Sequence, residues 1–407
     1  MSWTKPALIS LLGGAVALRL FLVFALPFDR TITPLLQAQN DEPSHYNYAR
    51  YLAEKRAFPI QTGTPHDEGA FEIDRFEYYQ PPLYYALAAI PRSLLGDSTG
   101  LYAARLLSFC CGIGSLFLIS ALLRRMNHPP PIALAGTLFV ALSPVHSYFS
   151  SIVSNDSPSW LFSLLITFEL VVLLTDSGAR KPPSPARSVR LCAWLTAGML
   201  TKSSLLIFYP VAAGTLLLAV ARRRDRALLV HGSLALLASL VLVSPWYARN
   251  LVIYDSIFAI RMGFGTPDVH LASLGDVADL AASTIRYFWF PLLDLPSNRL
   301  VSTLYIASAA FLTIHGLLFV VATYRRKKLD SAEIILLATL ALNLLAYLKL
   351  NYSWSDPEGR FLFPSLGAIA YLFVVPAYRS LHPRIFAPIV VLTALHPYLY
   401  ALAMLLQ

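Results

Sequence analysis

Residues 222–250 read RRRDRALLVHGSLALLASLVLVSPWYARN, and this stretch decides the class of fold. A basic run is followed by an apolar segment, 228–244, and then by a polar-aromatic segment that ends in Arg-Asn. An apolar helix of roughly 20 residues crosses the ~30 Å hydrocarbon core of a bilayer. Because Lys and Arg are retained on the cytoplasmic side, the basic run marks the inner end of this helix and SPWYARN its outer end.

The same kind of segment recurs along the whole chain. The sequence has 407 residues, of which 56% are hydrophobic and 14% charged, and its mean hydropathy is +0.58. Soluble domains carry about 25% charged residues. We therefore predict one all-α polytopic membrane domain over 1–407 with about eleven transmembrane helices. The predicted spans are 7–27, 101–123, 131–145, 157–175, 189–200, 203–220, 228–244, 300–322, 332–349, 361–377 and 386–405.

Charge predicts the orientation of these spans. Basic residues mark every second connection, and the N-terminus with Lys5 joins that cytoplasmic side as an uncleaved anchor. The basic markers are Arg124, Arg125, Lys181, Arg187, Arg190, Arg222–Arg224, Arg226 and Arg325–Lys328. On this topology the outer side holds all Asp and Glu except Glu169, Asp176, Asp225, Asp330 and Glu333. The net charge of +9 thus reflects topology, and we expect no nucleic-acid partner.

Two connections are unusual in length or composition. Residues 28–100 form one predicted external loop, and a loop this long in a compact protein is usually functional. Within it, 82–95 reads PLYYALAAIPRSLL and is predicted as an interfacial helix, because a further span there would invert every later segment. Residues 177–190, which are Pro-rich and basic, are predicted as a cytoplasmic linker.

An acidic and aromatic cluster lies in the long loop. Residues 40–48 read NDEPSHYNY and residues 75–85 read RFEYYQPPLYY. Four further acids between them are expected to form only a solvated rim: Asp67, Glu68, Glu72 and Asp74. Carboxylates placed against a bilayer are costly and indicate a functional site. Cys110, Cys111 and Cys192 form no CxxC pair and are predicted as packing residues, and no Walker A, GxGxxG or HExxH motif occurs.

The first acidic segment predicts a helix. Asn40 or Asp41 is a natural cap with Pro43 in the first turn, which places His45 one turn along. The apolar face of this helix is expected to lie on the membrane surface, and it comprises Tyr46, Ala49, Leu52 and Ala53. The alternative reading of Asp41 is a plain capping residue in a solvated turn.

Further polar residues stand at the outer ends of predicted spans. They are Asn155 and Asp156, Lys202, Arg249 and Asn250, and Arg360. Each one alone is also consistent with a side chain that snorkels to the interface. Together they place acids and bases on one face of the membrane, as an outward-facing active site requires. Arg19 and Glu169 lie mid-span, and they are predicted either to pair with each other or to reach toward the interface. The alternative for Arg19 is an approach to the donor phosphate.

These segments resemble, in order along almost the whole chain, motifs of the GT-C superfamily of polytopic membrane glycosyltransferases, near its protein-mannosyltransferase and aminoarabinose-transferase branches. The matching segments are DEPSHY, YYQPPLYY, ARLLS at 104–108, VSNDSPSWLF, LTKSSLL, SPWYARNLVIYD and EGRFLFPSL. The resemblance implies a glycosyltransferase that moves a sugar from a polyprenyl-phosphate-linked donor to an acceptor hydroxyl. It further implies the plasma (inner) membrane, with the N-terminus cytoplasmic and the active site on the outer face.

The resemblance also assigns residues to roles. It implies catalytic acids at Asp41, as general base, at Glu42 as the second choice for base, and at Asp156. Leaving-group phosphate needs cations, and the implied ones are Arg360, Lys202 and Arg249, of which the bidentate Arg360 is the main clamp. The implied substrate pocket comprises His45, Tyr46, Glu77, Tyr79, Gln80, Tyr84 and Asn155.

A divalent metal ion is implied in some branches, with Asp41, Asp156 and His45 as ligands. The sequence departs from one branch here, because those relatives carry an acid just before the two prolines where this chain has Gln80. The nearest acid is Glu77. A metal site copied from that branch therefore does not transfer directly.

Two other functions compete with the transferase. A transporter or flippase of a lipid-linked or anionic substrate would show repeated halves and polar residues at the midplane, whereas the ionisable residues here gather at one face. A non-catalytic membrane assembly or scaffold subunit would have the same fold but would not transfer a sugar. The acceptor of the transferase is a glycan, a lipid or a protein.

Overall fold

The computed structural model describes residues 5–28, 41–64, 76–175, 185–289, 299–326 and 328–380, and these contain helices but no strand. The helices are α1 (Lys5–Ala25), α2 (Glu42–Lys55), α3 (Leu83–Arg125), α4 (Pro130–Ala141), α5 (Pro144–Phe149), α6 (Asp156–Thr175), α7 (Pro185–Met199), α8 (Phe208–Arg223), α9 (Arg226–Tyr254), α10 (Ile260–Phe264), α11 (Leu274–Trp289), α12 (Arg299–Arg326), α13 (Ser331–Trp354) and α14 (Leu366–Ser380). Two 3₁₀ turns, Ser203–Ile207 and Gly359–Ser365, precede α8 and α14.

The predicted all-α membrane class is confirmed. Ten of the predicted spans coincide with described helices, whereas 386–405 lies outside the described residues. Within the described ranges, seven helical segments are long and apolar enough to cross a membrane. The span predicted over 131–145 divides into α4 and α5 at Leu142-Ser143, where Ser143 accepts a hydrogen bond from the His146 N–H and caps α5. The count of about eleven stays a prediction.

Helix α3 is two helices joined at Gly96. The backbone there has φ 80° and ψ −172°, a conformation that glycine adopts without a steric penalty. The residues before the kink match the predicted helix at 82–95. The two arms of α3 approach each other closely at Gly100. A side chain would not fit there, because a Cβ would lie 2.7 Å from Arg92 Cα and 3.1 Å from the Tyr46 hydroxyl. The two arms therefore meet over α2.

Helix α2 packs into this angle against α3. Tyr46 and Ala49 are buried in an aromatic cluster formed with α3, and the Tyr46 hydroxyl donates to the Asp97 carbonyl at 2.6 Å. The Tyr48 and Tyr85 rings stack with centroids 4.1 Å apart. Tyr46 and Ala49 are therefore covered by protein, contrary to the prediction, whereas Leu52 and Ala53 of the same face are only partly buried.

Arg19 and Glu169, which were predicted to lie mid-span, each contact a different polar partner. Arg19 is fully buried and donates to the Ala15 carbonyl at 2.9 Å, with its Nη2 3.1 Å from His146 Nδ1. Glu169 is paired instead with Arg190, at 2.5 Å. The predicted pairing of Arg19 with Glu169 is wrong, because each has a nearer partner. Residues 185–190 of the predicted linker form the start of α7, and 177–184 lie outside the described residues.

Candidate active site

Asp156 is the centre of the site and is the first residue of α6. Ser154 donates its hydroxyl to Asp156 Oδ2 at 3.3 Å and accepts the Asp156 N–H, which holds the carboxylate at the helix start. Lys202 Nζ contacts Asp156 Oδ1, and Arg360 Nη1 lies 3.2 Å from Oδ2. Residues far apart in sequence therefore meet here, since Lys202 precedes one 3₁₀ turn and Arg360 lies in the other.

Arg360 joins three carboxylates. Besides Asp156, its Nη2 lies 3.3 Å from Asp41 Oδ2, and its Nε forms an ion pair with Glu358 Oε2. The guanidinium carbon stands 4.3 Å from the centroid of the Phe149 ring, and an aromatic face adds cation–π attraction. Arg360 is thus fixed in orientation at the junction of α2, α6 and α14.

Asp41 and Glu42 differ in what they face. Asp41 occupies the predicted cap position of α2, but its side chain makes no capping hydrogen bond and points to Arg360. Its side chain is 23% exposed. Glu42 is fully buried, and its two oxygens accept from Arg105 Nε and Nη2 at 2.7 and 2.6 Å and from the Val153 N–H at 2.7 Å. Both Glu42 oxygens are therefore engaged, which leaves Asp41 as the accessible acid.

A second group of polar residues adjoins Asp41. Ligand-type atoms of Asp41, His45 and Glu77 lie within 4.8 Å of one another. His45 Nδ1 is 2.7 Å from the Tyr85 hydroxyl and 3.8 Å from Glu77 Oε2. Burial lowers the pKa of His45 to about 3, so its ring is neutral. Burial, reinforced by Asp41, raises the pKa of Glu77 to about 8.

A chain of hydrogen bonds runs from Asn155, which precedes Asp156, through Gln80 to Tyr79. Asn155 donates to Gln80 Oε1 and to the Thr201 carbonyl, each at 3.3 Å, and Gln80 Nε2 donates to the Tyr79 hydroxyl at 3.0 Å. Burial raises the pKa of Tyr79 well above its usual value, so this hydroxyl stays protonated. Gln80 therefore serves in a neutral hydrogen-bond chain.

Three predicted site residues are engaged elsewhere among the described residues. Tyr46 bonds to the Asp97 carbonyl. The Tyr84 hydroxyl lies 2.7 Å from Ser108 Oγ and accepts a hydrogen bond from the Ser154 N–H at 3.1 Å. Tyr84 therefore holds the loop that precedes Asp156. Arg249 stacks on Trp246 at 4.6 Å and donates to the Pro59 carbonyl at 2.5 Å. Arg249 therefore ties α9 to the segment after α2, apart from the Asp156 cluster.

The structure adds two acids that the sequence did not single out, Asp356 and Glu358. Both precede Arg360 in the segment SDPEGRF. Burial raises the pKa of Asp356 to about 6 and that of Glu358 to about 8. Their position within four residues of Arg360 was a usable signal. The described site holds five carboxylates around the cations of Lys202 and Arg360: Asp41, Glu77, Asp156, Asp356 and Glu358.

Comparison with known proteins places this arrangement in a known fold. The structure of ArnT from Cupriavidus metallidurans bound to undecaprenyl phosphate is similar with a TM-score of 0.56, at 16% identity, over 94% of this chain and 62% of that one. The apo oligosaccharyltransferase of Archaeoglobus fulgidus is similar with a TM-score of 0.58, at 14% identity, over 99% of this chain and 56% of that one. The chain has the GT-C fold.

Sequence comparison agrees with this GT-C assignment. Residues 79–248 match the model of the dolichyl-phosphate-mannose-protein mannosyltransferase family. An undecaprenyl phosphate-alpha-4-amino-4-deoxy-L-arabinose arabinosyl transferase of Pseudomonas aeruginosa is 28% identical over 176 residues, which is 42% of this chain and 30% of that relative. The chain thus spans less than a third of the length of this curated relative and about three fifths of the solved structures.

The GT-C bundle places the site at one end. Helix α6 begins at Asp156, the 3₁₀ turn before α8 begins after Lys202, and the turn before α14 contains Arg360. Helix α8 then ends at Arg222 and Arg223, and α14 carries Arg379 in its last turn. The candidate site and these basic residues therefore lie at opposite ends of the same helices.

Proposed function

We propose that this GT-C chain transfers a sugar from a polyprenyl-phosphate-linked donor to an acceptor hydroxyl on the outer face of the plasma (inner) membrane. The observation that carries the proposal is the bridge from Lys202 through Asp156 to Arg360, which also meets Asp41. Two fixed cations beside an accessible carboxylate provide a place for a leaving phosphate and for a base. The acceptor hydroxyl belongs to a glycan, a lipid or a protein.

Each group has a defined part in the transfer. Arg360 and Lys202 bind the donor phosphate and stabilise the charge that develops as the bond from the sugar anomeric carbon to the phosphate oxygen breaks. The acceptor oxygen forms the new bond to that carbon and gives its proton to Asp41, while polyprenyl phosphate departs with the bonding electron pair. Asp156 does not react but holds the two cations in register.

The same geometry supports the proposed orientation in the membrane. Arg222 and Arg223 are the residues that charge patterning assigns to the cytoplasm, and they lie at the far end of α8 from Lys202. The site then faces outward and the N-terminus of the chain is cytoplasmic. A flippase would need binding groups near the midplane, whereas these helices carry them at their ends.

Loss of Arg360 tests the proposed function. In cells that lack the chain or carry Arg360→Ala, lipid and glycan mass spectrometry should show a polyprenyl-phosphate-linked sugar accumulating and a glycosylated acceptor disappearing. Transfer by the variant should fall by about 10- to 100-fold, because charge-assisted hydrogen bonds to the phosphate are lost. Arg50→Ala, an exposed arginine on α2, should behave as wild type. Sugar-lipid translocation without any new glycosidic bond would contradict the proposal.

A divalent cation fits beside this site. Glu77 is buried, and its Oε2 has no hydrogen-bond partner within the described part of the chain. Two carboxylates and an imidazole are a donor set that divalent cations accept. The structure therefore supports Asp41, His45 and Glu77 as the ligands, and Asp156 of the sequence-based set is engaged instead by Lys202 and Arg360. When bound, the cation would offset the carboxylate excess and polarise the acceptor hydroxyl.

Removal of the Glu77 carboxylate tests this set. Mn²⁺ binding by the purified chain, measured by titration calorimetry, should weaken by about 10- to 100-fold in Glu77→Gln, because one charged ligand is lost. Glu54→Gln, an exposed acid that pairs with Arg92, should leave Mn²⁺ binding unchanged. Equal Mn²⁺ affinity of Glu77→Gln and wild type would remove Glu77 from the set.

A further inference from the structure

Each nitrogen of the Arg360 guanidinium faces a carboxylate. Asp156 takes Nη1, Asp41 takes Nη2 and Glu358 faces Nε. The Phe149 ring covers one face at 4.3 Å, and the Phe361 centroid lies 5.4 Å away. A phosphate that approaches Arg360 through Nε must therefore compete with Glu358 for that position.

The three carboxylates are not equally held. The side chain of Asp156 is 4% exposed and is also bound by Lys202. Asp41 is 23% exposed and is hydrogen-bonded to Nη2. Glu358 is the most exposed, at 35%. Its contact with Nε is an ion pair without hydrogen-bond alignment, so the buried Nε–H has no hydrogen-bond partner among the described residues. Glu358 is thus the partner that is most readily displaced.

We propose that Glu358 occupies the position of the donor phosphate at Arg360 Nε, and that the phosphate binds by displacing it. This inference rests on the proposed function, because it assumes that Arg360 binds the lipid phosphate. The incoming phosphate supplies the aligned acceptor that Nε lacks and keeps the bridge from Arg360 to Asp156. Glu358 returns to Arg360 when polyprenyl phosphate leaves, and so it limits the affinity for this product.

The surroundings of Glu358 favour its release. Partial burial raises the pKa of Glu358, Arg360 opposes this rise, and the nearby Asp356, Asp41 and Asp156 add to it. Once phosphate takes Arg360, the influences that remain all favour the protonated acid, and Lys202 stays bound to Asp156. A displaced Glu358 can therefore take a proton from solvent and remain in place as a neutral side chain.

The chain offers a matched control for the test. Asp356 lies two residues away and contributes to the same field, but no ion pair joins it to Arg360 within the described residues. Asp356→Asn and Glu358→Gln each remove one negative charge from the same short segment. Only the second removes a group that competes for Nε.

The experiment measures binding of undecaprenyl phosphate to the full chain in lipid nanodiscs at pH 9, where Glu358 carries its negative charge. Glu358→Gln should bind it about tenfold more tightly than wild type, because a competing charge at the guanidinium is lost. Asp356→Asn should gain clearly less affinity than Glu358→Gln, because Asp356 acts on Arg360 only through its charge and does not occupy Nε. Under turnover, Glu358→Gln should show a lower kcat with stronger product inhibition.

The outcomes separate this inference from the proposed function. A gain in affinity does not arise from misfolding, so a gain that is clearly larger in Glu358→Gln than in Asp356→Asn supports displacement. Unchanged or weaker binding by Glu358→Gln would overturn it, as would an equal gain in Asp356→Asn, which would indicate only a general charge effect. If wild type and Arg360→Ala bind undecaprenyl phosphate with the same affinity, the proposed role of Arg360 fails instead.

Discussion

Replacing Asp41 with Asn is expected to lower the rate of sugar transfer by about 10²- to 10⁴-fold, the usual contribution of a positioned general base. Asn keeps the size of the side chain but cannot accept the proton of the acceptor hydroxyl. The fold should be retained, because Arg360 keeps Asp156 and Glu358 as partners and Asp41 makes no capping hydrogen bond. The expected signature is therefore a fall in kcat with an unchanged melting temperature.

The measurement is the steady-state rate of transfer from a polyprenyl-phosphate-linked sugar by the purified variant. The KM for the donor should not rise, because the phosphate is held by Arg360 and Lys202, and removal of the Asp41 charge beside Arg360 does not weaken that attraction. Glu54→Gln changes an exposed acid on the same helix and should retain wild-type kcat. Transfer by Asp41→Asn within tenfold of wild type, in protein that melts normally, would exclude Asp41 as the base.

The apolar spans were predictable because their signals are local. Each span is a run of apolar residues closed by charges, and hydropathy reads such a run without knowledge of its neighbours. The sequence also predicted that Asp156, Lys202 and Arg360 stand at one face, and the structure brings them into contact. Order along the chain and alternation of charge were enough for that.

What covers an apolar helix face is not a local property. The Tyr46 and Ala49 face of α2 was predicted to meet lipid because it follows the first span. Its actual cover is the kinked α3, and the kink depends on the positive φ of Gly96 and the close approach at Gly100. Periodicity shows that a face is buried, but only tertiary structure shows against what.

The partners of charged residues were the least predictable feature. Arg249 was predicted to bind phosphate from its charge alone, although Trp246 lies three residues earlier on α9 and the two stack. Residues three apart lie on the same side of a helix, so the contact between Arg249 and Trp246 could have been predicted from the sequence. The partner of Glu42 could not have been predicted in this way, because Arg105 lies 63 positions further along the chain.

Replacing Glu42 with Ala is expected to cost about 3–5 kcal/mol of unfolding free energy, because it leaves the buried charge of Arg105 without its partner. Arg105 also donates to the Val23 and Leu26 carbonyls at 2.9 Å each. The pair therefore joins the end of α1, the start of α2 and the middle of α3. Its loss should loosen the attachment of α2, on which Asp41 depends for its position.

Chemical denaturation of the purified chain in detergent measures this cost. Glu54→Ala, on the exposed side of α2, should shift the unfolding free energy by no more than about 1 kcal/mol. A double-mutant cycle of Glu42→Ala with Arg105→Met should show a large coupling energy, because the two side chains act as one unit. Equal unfolding free energies for Glu42→Ala and Glu54→Ala would contradict the structural role of the pair. The two adjacent acids thus fail in different ways: without Asp41 the chain stays folded and inactive, whereas without Glu42 activity declines with the folded fraction.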